Sequence, residues 1–353
     1  MNNKKKKITA FCILAIVVLS VSFTQCLSYG TDGLDKFVAV YANDGDIIYS
    51  EDGITWGKAE TIWGEPAVLP NWQSVCYGNG KYVAAGHRDA LGVVVCSGDE
   101  TNWGDEIRQI TTMSDIYSVC YGNGKYVAVG ANHGNGVITY FEDWINWEDE
   151  IPPSASLYGE VFLGVCYGNG KYVAAGNSGS VAYSTNGIGW TIKSEVFNAG
   201  DNIIICYGIG KFFESGKFVV VYGNGNAAYS TNGKDWTKNE GVLAGLSSVV
   251  GICYGNGRFV AVDDDGNAAY SSTGREWTIK VNAFYDTFSI DTLFIAKSIS
   301  YGGGVFVVVG DNVFVYHSPL VAYSKDGVSW KAGDLSSVTI STDPLVSVCY
   351  GRD

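Results

Sequence analysis

One unit repeats along the chain from residue 36 onward, and it constrains the fold more than any other feature. An apolar strand ending in Tyr-Gly occurs seven times, first as Ser74-Val75-Cys76-Tyr77-Gly78 and then ending at Gly122, Gly168, Gly208, Gly255, Gly302 and Gly351. Most copies pass through Gly-Asn-Gly into a second apolar strand, such as Lys125-Tyr126-Val127-Ala128-Val129-Gly130. A third strand follows, as in Val181-Ala182-Tyr183-Ser184, and a turn then leads to a Trp that starts a fourth. The six intervals from Trp56 to Trp330 span 274 residues, about 46 each. Four strands at that period are the mark of a β-propeller blade, because such a unit cannot bury its apolar faces without neighbours.

The seven Tyr-Gly strands and the seven Trp turns are out of phase. Trp56 has no good first strand before it, and the strand ending at Tyr350-Gly351 has no blade after it. Pairing that last strand with the segment at 36–56 gives an all-β, seven-bladed propeller with four antiparallel strands per blade and no open sheet edge. Leu27-Ser28-Tyr29-Gly30 is a weaker rival for the closing strand.

The turn before each Trp has its own pattern. It reads Ser50-Glu51-Asp52-Gly53-Ile54-Thr55-Trp56, and recurs at Ser184 with Asn186 and Trp190, Ser230 with Asn232 and Trp236, and Ser324 with Asp326 and Trp330. Weaker copies hold Asp99 with Trp103, Asp143 with Trp147, and Thr273 with Trp277. This pattern resembles the Asp-box, or bacterial neuraminidase repeat, of sialidases and many non-enzymatic exported propellers, in a variant one residue shorter between Ser and Trp. The resemblance covers the chain from residue 36 onward and implies the propeller fold; a fold hosts many functions. Asp and Asn accept hydrogen bonds from their own turn and Gly supplies positive φ, so the motif reads as structural. Asn at two positions keeps those bonds without the charge that a metal ligand or proton donor would need.

Cysteine usage agrees with a repeated core. Cys76, Cys120, Cys166, Cys206, Cys253 and Cys349 hold one position of the first strand, with Ser300 at the seventh. One cysteine per blade at equivalent points is too widely spaced for disulfides, so these read as small core residues. Free thiols in an exported chain would suit a niche with little oxidising pressure.

The N-terminus reads as an address. Lys4, Lys5, Lys6 and Lys7 precede an apolar run at 8–23, which is shorter than a spanning helix needs. The expected division is a signal peptide or lipoprotein signal at 1–26 and the propeller at 27–353. Cleavage after the small residues Ser20-Val21-Ser22 and lipidation of Cys26 are both open. The net charge of −13 becomes −17 without the four lysines, which excludes nucleic acid as a partner and leaves the membrane reachable only through a lipid on Cys26.

Propeller geometry then sorts the loops. The Gly-Asn-Gly turns and the Trp turns share one nearly uniform face. The opposite face collects diverse links, where recognition on a rigid scaffold is expected. Its candidate ligand-binding residues are Trp63, Trp72, Arg88, His133, Tyr285 and His317, alongside Tyr158, Phe197, Phe284, Phe288 and Tyr316. His87, His133 and His317 are too scattered over the blades for a three-histidine metal site, and Asp263-Asp264-Asp265-Gly266-Asn267 reads as a polar turn, so no metal and no cofactor is expected. The sialidase resemblance would require three arginines for a substrate carboxylate. Of five in the chain, only Arg88 and Arg108 fall on the diverse face. The expectation is therefore an exported, monomeric, non-catalytic scaffold that binds a protein or glycan at the cell envelope or beyond it. The alternative is a glycoside hydrolase or lyase using carboxylates such as Asp89, Glu106, Asp149 or Glu160, two of which would have to face each other across a cleft.

Overall fold

Second strands such as Lys36–Tyr41, Lys171–Gly176 and Lys217–Tyr222 are apolar almost throughout, because both faces of each are covered by a neighbouring blade. A computed structural model describes residues 35–61, 68–104, 107–142, 147–150 (backbone only), 159–200, 202–209, 216–223, 225–285, 287–288, 292–312, 318–338 and 343–352. The residues of the expected signal, Cys26 included, lie outside this set.

The described chain forms seven four-stranded antiparallel sheets and no helix, a seven-bladed β-propeller. Blades 2 to 7 follow chain order, with first strands Asn71–Gly78, Asp115–Gly122, Phe162–Gly168, Ile203–Gly208, Val249–Gly255 and Phe294–Gly302. Blade 1 is completed by Leu345–Gly351, which pairs with Lys36–Tyr41 in the register Lys36↔Gly351 to Tyr41↔Leu345. The closure expected from the phase of the repeats is the one observed. A short parallel pair, Glu60–Thr61 with Asn102–Trp103, links blades 1 and 2 at their outer edges.

Seven apolar clusters fill the seven blade junctions; one of them joins Val305 and Val307 of blade 7 to Phe37, Trp56 and Leu345 of blade 1. Tyr-Gly recurs because of how these junctions close. The ring of each first-strand Tyr lies on the Gly of the preceding blade, and a β-carbon on Gly122 would fall inside the ring of Tyr167. The same Tyr packs at a tilt against the second-strand aromatic of its own blade, with ring centroids 4.6–4.8 Å apart, from Tyr301–Phe306 to Phe37–Tyr350. Deeper in the strand, Ser Oγ accepts a backbone N–H from the next blade: Ser74 from Val119 at 3.2 Å, Ser347 from Val75 at 3.1 Å. Where Gly164 and Gly251 replace Ser, an isoleucine of the next blade closes onto the strand instead. The strand cysteines are free and half-buried except Cys349, which is buried, and they pack against the junction clusters as expected of small core residues. Burial pushes the Cys76, Cys120 and Cys166 thiols up.

Candidate recognition face

The uniform face is occupied by its own hydrogen bonds. In the first Trp turn, Asp52 Oδ1 accepts the N–H groups of Ile54 and Thr55, both at 2.8 Å, while Ser50 Oγ accepts that of Gly53 at 2.9 Å. Asp326 repeats this with Val328 and Ser329 at 2.8 Å, and Asn232 does so with Lys234 and Asp235 at 2.8 Å. Asn186 and Asp99 hold the same pair of amides. An amide oxygen thus replaces a carboxylate with no change in geometry, so the turn needs an acceptor and not a charge. Asp143 lies outside the described residues. Trp56, Trp103, Trp190 and Trp330 are buried, whereas Trp236 and Trp277 are partly buried against the same kind of junction. Trp147 starts the fourth strand of blade 3.

These turns also clasp neighbouring blades. Lys171 Nζ donates to Asn232 O at 2.9 Å, and Asn256 Nδ2 to Lys325 O at 3.3 Å, which places the Gly-Asn-Gly turns and the Trp turns on one face. Lys36 makes a buried ion pair with Glu100 and lies 3.6 Å from Glu51. Burial pulls the Lys36 amine down, but the bond and charge of Glu100 outweigh it and hold the amine above its usual value.

On the opposite face the expected residues separate. Arg88 ends a second strand and is half-buried, and it is followed by Asp89 and Ala90 at φ 52° and 59°. His133 is exposed at φ 49°, with Gly134 at 83°. Both links are therefore two-residue hairpins with both central residues left-handed, tighter than recognition loops usually are. His87 Nδ1 stands 3.4 Å from Asp115 Oδ1 across the junction of blades 2 and 3. Tyr285 is 70% exposed. Trp63, Tyr158, Tyr316 and His317 lie outside the described residues.

Three expectations need correction. Trp72 is not a loop residue: it lies in the first strand of blade 2, 0% exposed, and its Nε1 donates to Gly45 O at 3.2 Å. Its large apolar surface fills the junction of blades 1 and 2 and is unavailable to a ligand. Phe197 and Phe284 are likewise buried, Phe197 stacked 4.9 Å from Tyr222 and Phe284 tilted against Trp330 at 5.0 Å, so their links tuck an aromatic plug under the blades. Glu160 is also buried, against Gly176 with its carboxylate bonded by Ser178, and burial pushes the carboxyl up. It is turned into the loops of its own blade and not toward a cleft. Glu106 lies outside the described residues, and of Asp149 only the strand position is described.

The Asp263 carboxylate is fully buried and accepts bonds from Ser247 N at 3.0 Å, Asn267 N at 2.6 Å and Asn267 Nδ2 at 2.8 Å. Its oxygens are engaged by their own turn and by the link that leads into the blade's first strand. Among the described residues no group of three or more His, Cys, Asp or Glu is placed to hold a metal ion.

No family model matches the chain, and a search of curated proteins finds no relative. Solved structures are similar in fold. YCF48 bound to D1 peptide superposes with a TM-score of 0.52 at 14% identity, over 80% of this chain and 93% of that one. Apo AztD from Citrobacter koseri gives 0.54 at 10% identity, over 91% and 98%. At such identities the likeness establishes a shared β-propeller architecture.

Proposed function

We propose that the protein is an exported, non-catalytic propeller of the Asp-box kind that binds a protein or glycan partner through its diverse face. One observation carries this reading. Among the described residues, all five exposed large hydrophobics fall in two inter-blade links on that face: Val68 and Leu69 between blades 1 and 2, and Val281, Tyr285 and Leu293 between blades 6 and 7. The uniform face, in contrast, spends its polar groups on holding the blades together. Exposed apolar side chains clustered on one side of a rigid scaffold mark an interaction surface more often than they serve the fold. The run at 8–23 behind four lysines supports export. A structural neighbour with a bound peptide is consistent with a peptide or protein partner.

The test uses the mature domain on arrays of synthetic peptides and of glycans. Replacing Arg88 and Tyr285 together with Ala should leave the melting temperature unchanged and weaken capture at least tenfold, about 1.4 kcal/mol. Asp52→Ala should leave capture intact. Capture that survives the double substitution but fails on Lys171→Glu would place the site on the uniform face and overturn the reading.

A further inference from the structure

The first strands share an irregularity that Tyr-Gly repeats conceal. In blade 2 the pairing skips one residue between Trp72 and Ser74, and blades 1, 3, 4, 6 and 7 skip at the matching position. The skipped residues are Gln73, Val346, Tyr117, Leu163, Val250 and Lys297. A β-bulge leaves its extra residue unpaired and re-aims the side chain. Each of the six is half-buried, while the residue just before it is buried in a junction core. First strands pack against one another around the axis, and the bulges lie at their ends toward the diverse face. Blade 5 has no bulge: Ile203 pairs directly with Tyr222 and is buried.

At this position the bulged strands differ chemically. Val346, Leu163 and Val250 lie partly against neighbouring cores and present aliphatic walls. Gln73 is engaged with Asn71 Oδ1 at 2.7 Å. Among the described residues, neither the Lys297 amine nor the Tyr117 hydroxyl has a hydrogen-bond partner. Burial and the charge of Asp115 push the Tyr117 hydroxyl up, so it remains a donor. Blades 7 and 3 stand three steps apart in a ring of seven, so Lys297 and Tyr117 belong to opposing sides of the ring.

We propose that this ring is the specificity pocket of the binding face and takes an acidic side chain of an extended peptide, with an aliphatic residue beside it. Lys297 pairs with the carboxylate, Tyr117 donates to the same chain from across the channel, and the Val and Leu walls hold the aliphatic neighbour. A half-buried lysine with no ion pair among the described residues gains from a ligand's anion at short range, against the long-range repulsion of a net charge of −13. Aliphatic walls with a single ring suit a peptide better than a sugar, whose faces stack on aromatic surfaces. The pocket rests on the binding function proposed above and narrows it to one ligand chemistry.

The experiment is an array of short synthetic peptides probed with wild type, Lys297→Glu and Tyr117→Phe, each first shown to melt at the wild-type temperature. Wild type should select Asp or Glu next to Leu, Ile or Val. Lys297→Glu should reverse that selection to Lys or Arg, and Lys297→Gln should weaken the best acidic peptide at least tenfold by fluorescence anisotropy. Selection that ignores charge, is unchanged by Lys297→Glu and is lost in the Arg88 and Tyr285 double variant would overturn the pocket while leaving the binding face standing. Capture of glycans and no peptide would overturn the pocket as well. Capture of neither would overturn both.

Discussion

Asp52, Asp99 and Asp326 each hold a carboxylate oxygen over two backbone amides at the turn before a Trp. Burial works to raise the Asp326 carboxyl, but the N–H groups of Ser329 and Val328 and the Ser324 hydroxyl outweigh it and hold the group down at about 2. Asp52 and Asp99 are lowered in the same balance. An unfolded Asp titrates near 3.9, so the stability these turns contribute is complete above about pH 4 and lost as pH falls toward 2. Asp326 is exposed, and screening limits the effect to about 1 kcal/mol or less. Asp326→Asn should therefore match wild type in melting near neutral pH and lose less than wild type at about pH 2.5, since Asn186 and Asn232 already make the same bonds. Asp326→Ala should cost about 1 kcal/mol at every pH. An Asn variant that melts well below wild type near neutrality would give the charge a role the geometry does not. The Tyr-Gly contact makes a second demand. Gly122→Ala should cost about 1–3 kcal/mol by overpacking against Tyr167, and Tyr167→Ala in the same chain should make the double loss smaller than the sum of the single ones.

Strands were legible in the sequence because their repeat period, apolar runs and turn residues all agree. The bulges were not. A residue that varies from copy to copy looks like noise in a strand, and only the pairing register shows that it leaves the sheet. Trp72 was misplaced for a related reason: beside the bulge it looks like a loop aromatic next to Pro70 and Asn71. Its counterparts, Ile116, Phe162, Val249 and Leu345, are all buried and apolar, and their common place two residues before the Ser or Gly was a signal available from the repeats. The two aromatics should now part company in a stability assay. Trp72→Ala should cost about 3–5 kcal/mol from a filled junction, and Tyr285→Ala no more than about 0.5 kcal/mol. Near-equal losses would contradict the burial of Trp72. Removing residues 345–353 strips the innermost strand from blade 1 and exposes an apolar edge along Lys36–Tyr41. Aggregation or rapid proteolysis should follow, and an unchanged melting temperature would refute the closure.

At the scale of the molecule, the propeller is a ring of seven similar junctions with one uniform face and one diverse face. The turn face was recognisable from its repetition, since every copy solves the same packing problem. The other face carries what repetition cannot encode, and so its contacts had to be found one residue at a time. The closing pair fixes one more property. Lys36 stands opposite Gly351, so the chain enters and leaves the ring side by side at the clasped, uniform face. Anything that tethers the protein through the residues ahead of Asp35, a lipid on Cys26 among them, would pull on that face alone. The molecule would then stand on its support like a cup on its base, with the channel mouth and its Lys297–Tyr117 pocket facing outward. Orientation toward an approaching partner would follow from the order of strands in one blade, with no further contact to the surface required.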